Sequence, residues 1–154
     1  METNSIIYSA SAEETEAAGA TLANEILGDP TLPHFVALYG DLGVGKTAFV
    51  RGFASVVAPG ALVRSPTFAL VNEYRGTPLS VFHFDMYRIE SEDDLISIGY
   101  DDYLIRKGIC LTEWSERIEE ELPEDHIAVL IEKTAVEAPN ERRITVTHVI
   151  KEEQ

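Results

Sequence analysis

The chain is poor in the things that would staple it covalently or let it grip a polyanion. It has one cysteine, Cys110, so no disulfide can form within it. That thiol sits in GICLTEW among apolar neighbours and reads as a small buried hydrophobe, not as a nucleophile. Basic residues are scarce: 12 Lys and Arg stand against 27 Asp and Glu, a formal net charge of −15. A surface of that sign repels a phosphate backbone, and no basic patch with interleaved aromatics interrupts it. Direct nucleic-acid binding by the isolated chain is therefore disfavoured. A partner with a basic face, or a ligand carried with Mg²⁺, is accommodated more easily. No apolar run has the length of a membrane-spanning helix. The opening METNSIIYSASAEETEAAG has neither the basic start nor the apolar core of a secretory signal. No membrane partner is expected, and a soluble cytoplasmic protein is. The four histidines show no metal-ligand spacing with the cysteine. There is no internal repeat and no low-complexity segment.

What is present is a chain of 154 residues, 45% of them hydrophobic, enough for one domain over 1–154 with a real core. Ser5–Tyr8 reads as a short first strand. Ser11 and Glu14 form a capping box before a helix whose Ala18, Leu22, Ile26 and Leu27 recur at helical spacing, ended by GDP at 28–30. The unbroken apolar run Phe35–Tyr39 fits a strand covered on both faces. Lys46–Val57 reads as a helix with Arg51 outward, closed by Pro59 and Gly60. Phe68–Tyr74 and Leu79–Phe84 pair as a hairpin across RGTP. A helix over Glu92–Ile98 is capped by Ser91, with Asp94 three residues on. Ile109–Thr112 is another short strand, Trp114–Leu122 a helix stopped by Pro123, and Ile127–Lys133 and Arg143–Ile150 late strands. This order predicts an α/β fold: a three-layer, P-loop NTPase-like sandwich around a mostly parallel sheet, with antiparallel pairing around 68–84.

Between the second strand and the second helix lies GDLGVGKT, residues 40–47, which fits G-x-x-x-x-G-K-[ST]. Gly40, Gly43 and Gly45 permit bends that side chains would block, so that backbone amides converge on phosphate oxygens. The helix behind adds free N–H groups and a positive dipole end. Lys46 can reach the β- and γ-phosphates, and the Thr47 hydroxyl can ligate Mg²⁺. The cofactor-binding set is Asp41, Leu42, Gly43, Val44, Gly45, Lys46, Thr47 and Ala48, with Thr67 and Trp114 added from elsewhere.

A phosphate cradle hydrolyses nothing alone; the metal needs more oxygen ligands and a water must be oriented. Two apolar strands end in an acid: VFHFD at Asp85 and ICLTE at Glu113. Ligands of open α/β sheets sit beyond such strand ends. Lys46, Asp85 and Glu113 are the catalytic candidates, and Thr47, Asp85 and Glu113 the metal candidates. Asp85 is expected to serve Mg²⁺ and Glu113 to orient or activate water, with the reverse assignment open. In SPTF, Pro66 holds Ser65 away from helix, and Thr67 either senses the γ-phosphate side or belongs to a plain turn. His83 shares a face with Asp85 and either contacts it or is a satisfied core histidine. Trp114 either packs near the nucleotide or belongs to the core. Arg88 either contacts acids or phosphate or is a surface charge.

The segments LYGDLGVGKTAFVRG, SPTFALVNEY, FHFDMYRI, LISIGYDDYL and LTEWSERI occur together and in order over about residues 35 to 122. In that combination the chain resembles the TsaE (formerly YjeE) family of small P-loop ATPases in bacterial tRNA threonylcarbamoyladenosine biosynthesis. The resemblance implies binding and hydrolysis of ATP with Mg²⁺. It implies work with the TsaB–TsaD pair, which transfers threonylcarbamoyl to adenosine 37 of tRNAs reading ANN codons, with tRNA met only through that complex. It implies Lys46 and Thr47 as phosphate and Mg²⁺ contacts, Asp85 as the Mg²⁺-associated aspartate, Glu113 as the hydrolytic acid, and Thr67 in a segment resembling switch I. Thr112 and Ser115 depart from the aliphatic and proline residues common around the EW pair without removing a functional group. The competing readings are a small-molecule or nucleotide kinase, against which stands the lack of an arginine-rich lid, and a nucleotide-dependent module without turnover. A GTP switch lacks its NKxD-like segment.

Overall fold

The computed structural model describes residues 2–41, 43–66 and 70–150. In chain order the elements are β1 (Glu2–Ser9), α1 (Ala12–Gly28), β2 (Phe35–Tyr39), α2 (Lys46–Val57), β3 (Val71–Tyr74), β4 (Ser80–Asp85), α3 (Glu92–Ser97), α4 (Tyr100–Ile105), β5 (Gly108–Glu113), a 3₁₀ segment (Ser115–Glu121), β6 (His126–Ala135) and β7 (Ala138–Val149). Among the described residues the strands form one seven-stranded sheet in the order β1-β7-β6-β2-β5-β4-β3. Its centre, β6-β2-β5-β4, is parallel. Both flanks, β1-β7-β6 and β4-β3, are antiparallel.

Period-two alternation sorts the central strands into two cores. Val36 and Leu38 of β2, Ile109 and Leu111 of β5 and Val81 of β4 point to one face, where Leu22, Ile26, Phe49 and Phe53 of α1 and α2 cover them. Phe35 and Ala37, Cys110, and Phe82 and Phe84 point to the other, against Leu95, Tyr100 and Ile118 from α3, α4 and the 3₁₀ segment. That makes three layers and explains why the central strands are unbroken apolar runs: each residue is buried on one side or the other.

Local signals hold at the starts of helices. Ser11 Oγ accepts from the Glu14 amide at 3.1 Å, and Glu14 reaches back to the Ala10 amide at 2.7 Å. Ser91 and Asp94 repeat the device at α3. The two sheet-covering helices cross closely: a side chain at Gly52 of α2 would land on the Glu16 carbonyl of α1. This contact fixes the height of α2, and with it the loop in front of α2.

Five expectations change, one of them the last strand, expected over Arg143–Ile150 and found as β7 over Ala138–Val149. The first strand is longer, because β1 pairs with β7 along its whole length, from Glu2↔Val149 to Ser9↔Arg142. The strand expected over Phe68–Tyr74 begins at Val71, because Leu70 before it is a bend with φ 62°; residues 67–69 lie outside the described residues. Helix α4 has no counterpart in the sequence reading. The helix expected over Trp114–Leu122 is a 3₁₀ segment, interrupted at Ile118 with φ −130°. Ile118 is fully buried against the sheet, while Glu116, Glu119, Glu120 and Glu121 crowd like charges on neighbouring turns, so the segment is shaped by docking more than by helix propensity.

Candidate active site

The loop between β2 and α2 carries positive φ at Gly40 (140°), Gly43 (77°) and Gly45 (108°). At Gly40 a side chain would also strike the Ile131 carbonyl of β6, so the chain can turn out of the sheet there only with glycine. The loop is held from β7: Arg142 Nε donates to the Val44 carbonyl at 2.8 Å. Lys46, 6% exposed, points its ammonium back into the loop, donating to the Gly40 carbonyl at 2.7 Å. Thr47 and Ala48 follow in the first turn of α2, where amides lack intrahelical partners and the dipole is positive. Thr47 Oγ1 lies 3.2 Å from Ser65 Oγ. Of the loop and switch candidates, Leu42 and Thr67 lie outside the described residues; Asp41, Gly43, Val44, Gly45, Lys46, Thr47 and Ala48 lie together.

The two acids meet next to Lys46. β4 and β5 run parallel with Asp85 opposite Glu113, so both acids stand at the carboxyl ends of adjacent strands. Asp85 is half-buried, and its Oδ1 accepts from the Tyr87 amide at 2.9 Å. Burial pushes the Asp85 carboxyl above its ordinary range; the nearby Glu113 adds to the rise, while the Tyr87 amide, His83 and Lys46 oppose it. Glu113 is buried, 7% exposed, and its Oε2 lies 2.6 Å from His83 Nε2. His83 is fully buried, and its Nδ1 lies 3.0 Å from the Tyr74 hydroxyl. His83 therefore binds Glu113 rather than Asp85. Sharing a face with Asp85 along one strand matters less than reaching diagonally to the strands on either side.

Trp114 follows Glu113 with φ 58°, a left-handed conformation that a bulky residue adopts at a cost of about 1–3 kcal/mol. The turn brings its ring to 4.9 Å from Lys46 Nζ and 4.9 Å from the Tyr87 ring. Trp114 thus belongs to the site's wall as well as to the core beneath it. Arg88 is exposed. Cys110 is buried, its thiol pushed up to about 12, as its apolar setting predicts.

The donor set fits Mg²⁺. Among the described residues no three His, Cys, Asp or Glu side chains converge as a metal cage. Mg²⁺ seldom uses one: it takes one or two carboxylates, keeps several waters and shares phosphate oxygens. Two carboxyl groups and a hydroxyl beside a phosphate-type loop are that kind of set. Ser65, Tyr74 and Arg142 enter the site's surroundings without a sequence expectation for their role. Tyr74 ends the quoted SPTFALVNEY, and that position two residues from the one opposite His83 is a signal visible only once β3 and β4 are paired in register.

Comparisons with known proteins bear on the family and the fold. The family model described as "Threonylcarbamoyl adenosine biosynthesis protein TsaE" matches residues 9–144. The tRNA threonylcarbamoyladenosine biosynthesis protein TsaE of Bacillus subtilis (strain 168) is 40% identical over 114 residues, covering 74% of this chain and 69% of that protein. The protein of the same name from Haemophilus influenzae is 42% identical over 97 residues, 63% of this chain and 61% of its own length. The crystal structure of Bacillus subtilis YdiB superposes with a TM-score of 0.78 at 31% identity, covering 97% of this chain and 88% of that one. With a family match spanning most of the sequence and a fold shared over nearly all of it, the chain belongs to the TsaE family.

Proposed function

We propose that this chain is a Mg²⁺-dependent ATPase that supports threonylcarbamoylation of adenosine 37 in tRNAs reading ANN codons, acting on a TsaB–TsaD complex in the cytoplasm. The observation that carries the ATPase reading is the meeting of Asp85 and Glu113 at the carboxyl ends of adjacent strands, beside a GDLGVGKT loop and its Lys46. Membership of the TsaE family, and the biosynthetic role named for its relatives, carry the pathway.

In this reading the amides of residues 43–48 and the dipole of α2 hold the β- and γ-phosphates. Lys46 exchanges the Gly40 carbonyl for a phosphate oxygen. Thr47 and Asp85 would hold Mg²⁺, and the ion would supply positive charge against the phosphates. Glu113 has one oxygen committed to His83 and offers the other to the attacking water. Trp114 closes the site beside Lys46 and limits solvent. With a net charge of −15, the chain leaves tRNA to its partners and docks against a basic face on them. Turnover by the isolated chain is slow, and the complex speeds it.

The test is ATP labelled at the γ-phosphate, incubated with the full chain and Mg²⁺, with and without TsaB and TsaD. Free phosphate, released faster in the presence of the pair, is the expected product. Label in an organic product would make the chain a kinase, and tight binding without turnover would make it a nucleotide-dependent module.

A further inference from the structure

The Glu113 carboxylate does not end at His83. The hydroxyl of Tyr74, 3.0 Å from His83 Nδ1, also donates to the Arg64 carbonyl at 2.9 Å and accepts from the Arg64 amide at 3.2 Å. A hydroxyl has one proton and two lone pairs, so these three contacts fill its capacity. Arg64 precedes Ser65, whose Oγ contacts Thr47 Oγ1 at 3.2 Å. A continuous path therefore runs from the first turn of α2, through Ser65 and Arg64 and then Tyr74 and His83, to the carboxylate at the end of β5. It crosses three adjacent strands, β3, β4 and β5, on the face that carries the loop.

Two features separate this path from ordinary core filling. First, a fully buried imidazole and a nearly buried carboxylate are costly to place unless each polar atom is matched, and among the described residues no buried side-chain nitrogen or oxygen lacks a partner. Second, the path touches the site at both ends and the solvent-side loop in its middle. One proton lies between His83 Nε2 and Glu113 Oε2, so that oxygen is immobilised and the carboxylate plane is set by the imidazole, which Tyr74 holds in turn.

We propose that His83 and Tyr74 are positioning residues for Glu113, and that they couple its orientation to the loop of residues 61–66, which also contacts Thr47. This inference rests on the ATPase reading above. The Glu113 orientation then depends on where Arg64 sits. A change at Thr47 that releases Ser65 is transmitted to the hydrolytic carboxylate through backbone and side-chain hydrogen bonds. Neither residue needs to touch nucleotide.

The experiment is single-turnover hydrolysis of γ-labelled ATP by the full chain with Mg²⁺, paired with calorimetric nucleotide binding. The proteins are wild type, Tyr74→Phe, His83→Ala, His83→Gln, Glu113→Ala and the Tyr74→Phe/Glu113→Ala pair. Tyr74→Phe and His83→Ala are expected to slow hydrolysis about tenfold, in the range seen when outer partners of a site are removed. Binding should stay within about twofold of wild type, since the loop that holds phosphate is untouched. His83→Gln keeps a donor toward Glu113 and should recover part of the rate. Tyr74→Phe should have no further effect once Glu113 is gone, because its influence passes through that carboxylate. If His83→Ala fails to fold, Tyr74→Phe carries the test alone. A wild-type rate in Tyr74→Phe, or an equal loss with and without Glu113, overturns the proposal while leaving the ATPase reading standing. A wild-type rate in Glu113→Ala removes that residue from the mechanism and the proposal with it, and no phosphate release by wild type removes the ATPase reading itself.

Discussion

Two neighbouring strands end in the same way in the sequence and differently in the fold. β4 and β5 are both short apolar runs closed by an acid, and the sheet sets Asp85 directly opposite Glu113. Yet Asp85 is half-exposed and bonded to a backbone amide two residues on, whereas Glu113 is buried and bonded to an imidazole from the adjacent strand. The first stands at the rim, held by a backbone amide and not by another side chain. The second is held by a path that crosses the sheet. Two carboxyl groups with different surroundings are how one site runs two tasks, and the difference here is one of neighbours, not of residue type.

The sharpest way to break the comparison is to remove what both acids share. Lys46→Ala takes away the ammonium that faces Asp85 and stands beside Trp114. Calorimetry should show nucleotide affinity falling about a hundredfold, equivalent to about 2.7 kcal/mol, with turnover lost as well. Next comes Glu113→Ala, which should cost about 10²-fold in phosphate release while leaving nucleotide binding nearly intact, since its work is on water. Asp85→Asn should do the reverse: titrating Mg²⁺ against activity should show the requirement moving about tenfold higher, with a smaller loss at saturating metal. If the two variants gave the same profile, the roles assigned to the two strand ends would be wrong.

The smallest effects are on stability. Burial raises the Asp85 carboxyl in the folded chain above its ordinary 3.8, so the folded state holds that proton more tightly than the unfolded state does. Below the ordinary value both states are protonated and the group costs nothing. As pH rises through the folded value, ionisation costs stability. Asp85→Asn, which keeps the acceptor for the Tyr87 amide, should therefore melt slightly higher than wild type at pH 7, and thermal scans should show the gap closing toward pH 4. Cys110, with its thiol pushed up to about 12, should resist maleimide in the folded chain at pH 7 and react only on unfolding.

Helices α1, α2 and α3 and the central strands were readable because their causes are local, whereas α4 and the 3₁₀ segment were not. Phe35–Tyr39 and Lys46–Val57 appear as expected, the first from an unbroken apolar run and the second from the glycine-rich loop before it and the apolar spacing along it. The antiparallel flank was only partly readable. β6 and β7 bury one face against α1 and α2, through Ile127, Val129, Ile131, Ile144 and Val146, while Leu130 on the opposite face is 38% exposed. β1 owes its full length to eight paired residues on β7 and not to its own letters. Likewise the polar path behind Glu113 has no linear signature: Arg64, Tyr74, His83 and Glu113 are spread over 50 positions of the numbering and meet only through strand order and register.

The amino-acid order alone settled the glycine-rich loop, the two strand-ending acids and the layered α/β class, because glycine freedom, helix capping and hydrophobic period act over a few residues. Which acid is buried, which histidine partner it takes, and how the loop before β3 is tied to both were decided by tertiary structure. Those contacts are made across strands, and their strength depends on burial that no single stretch of chain can create.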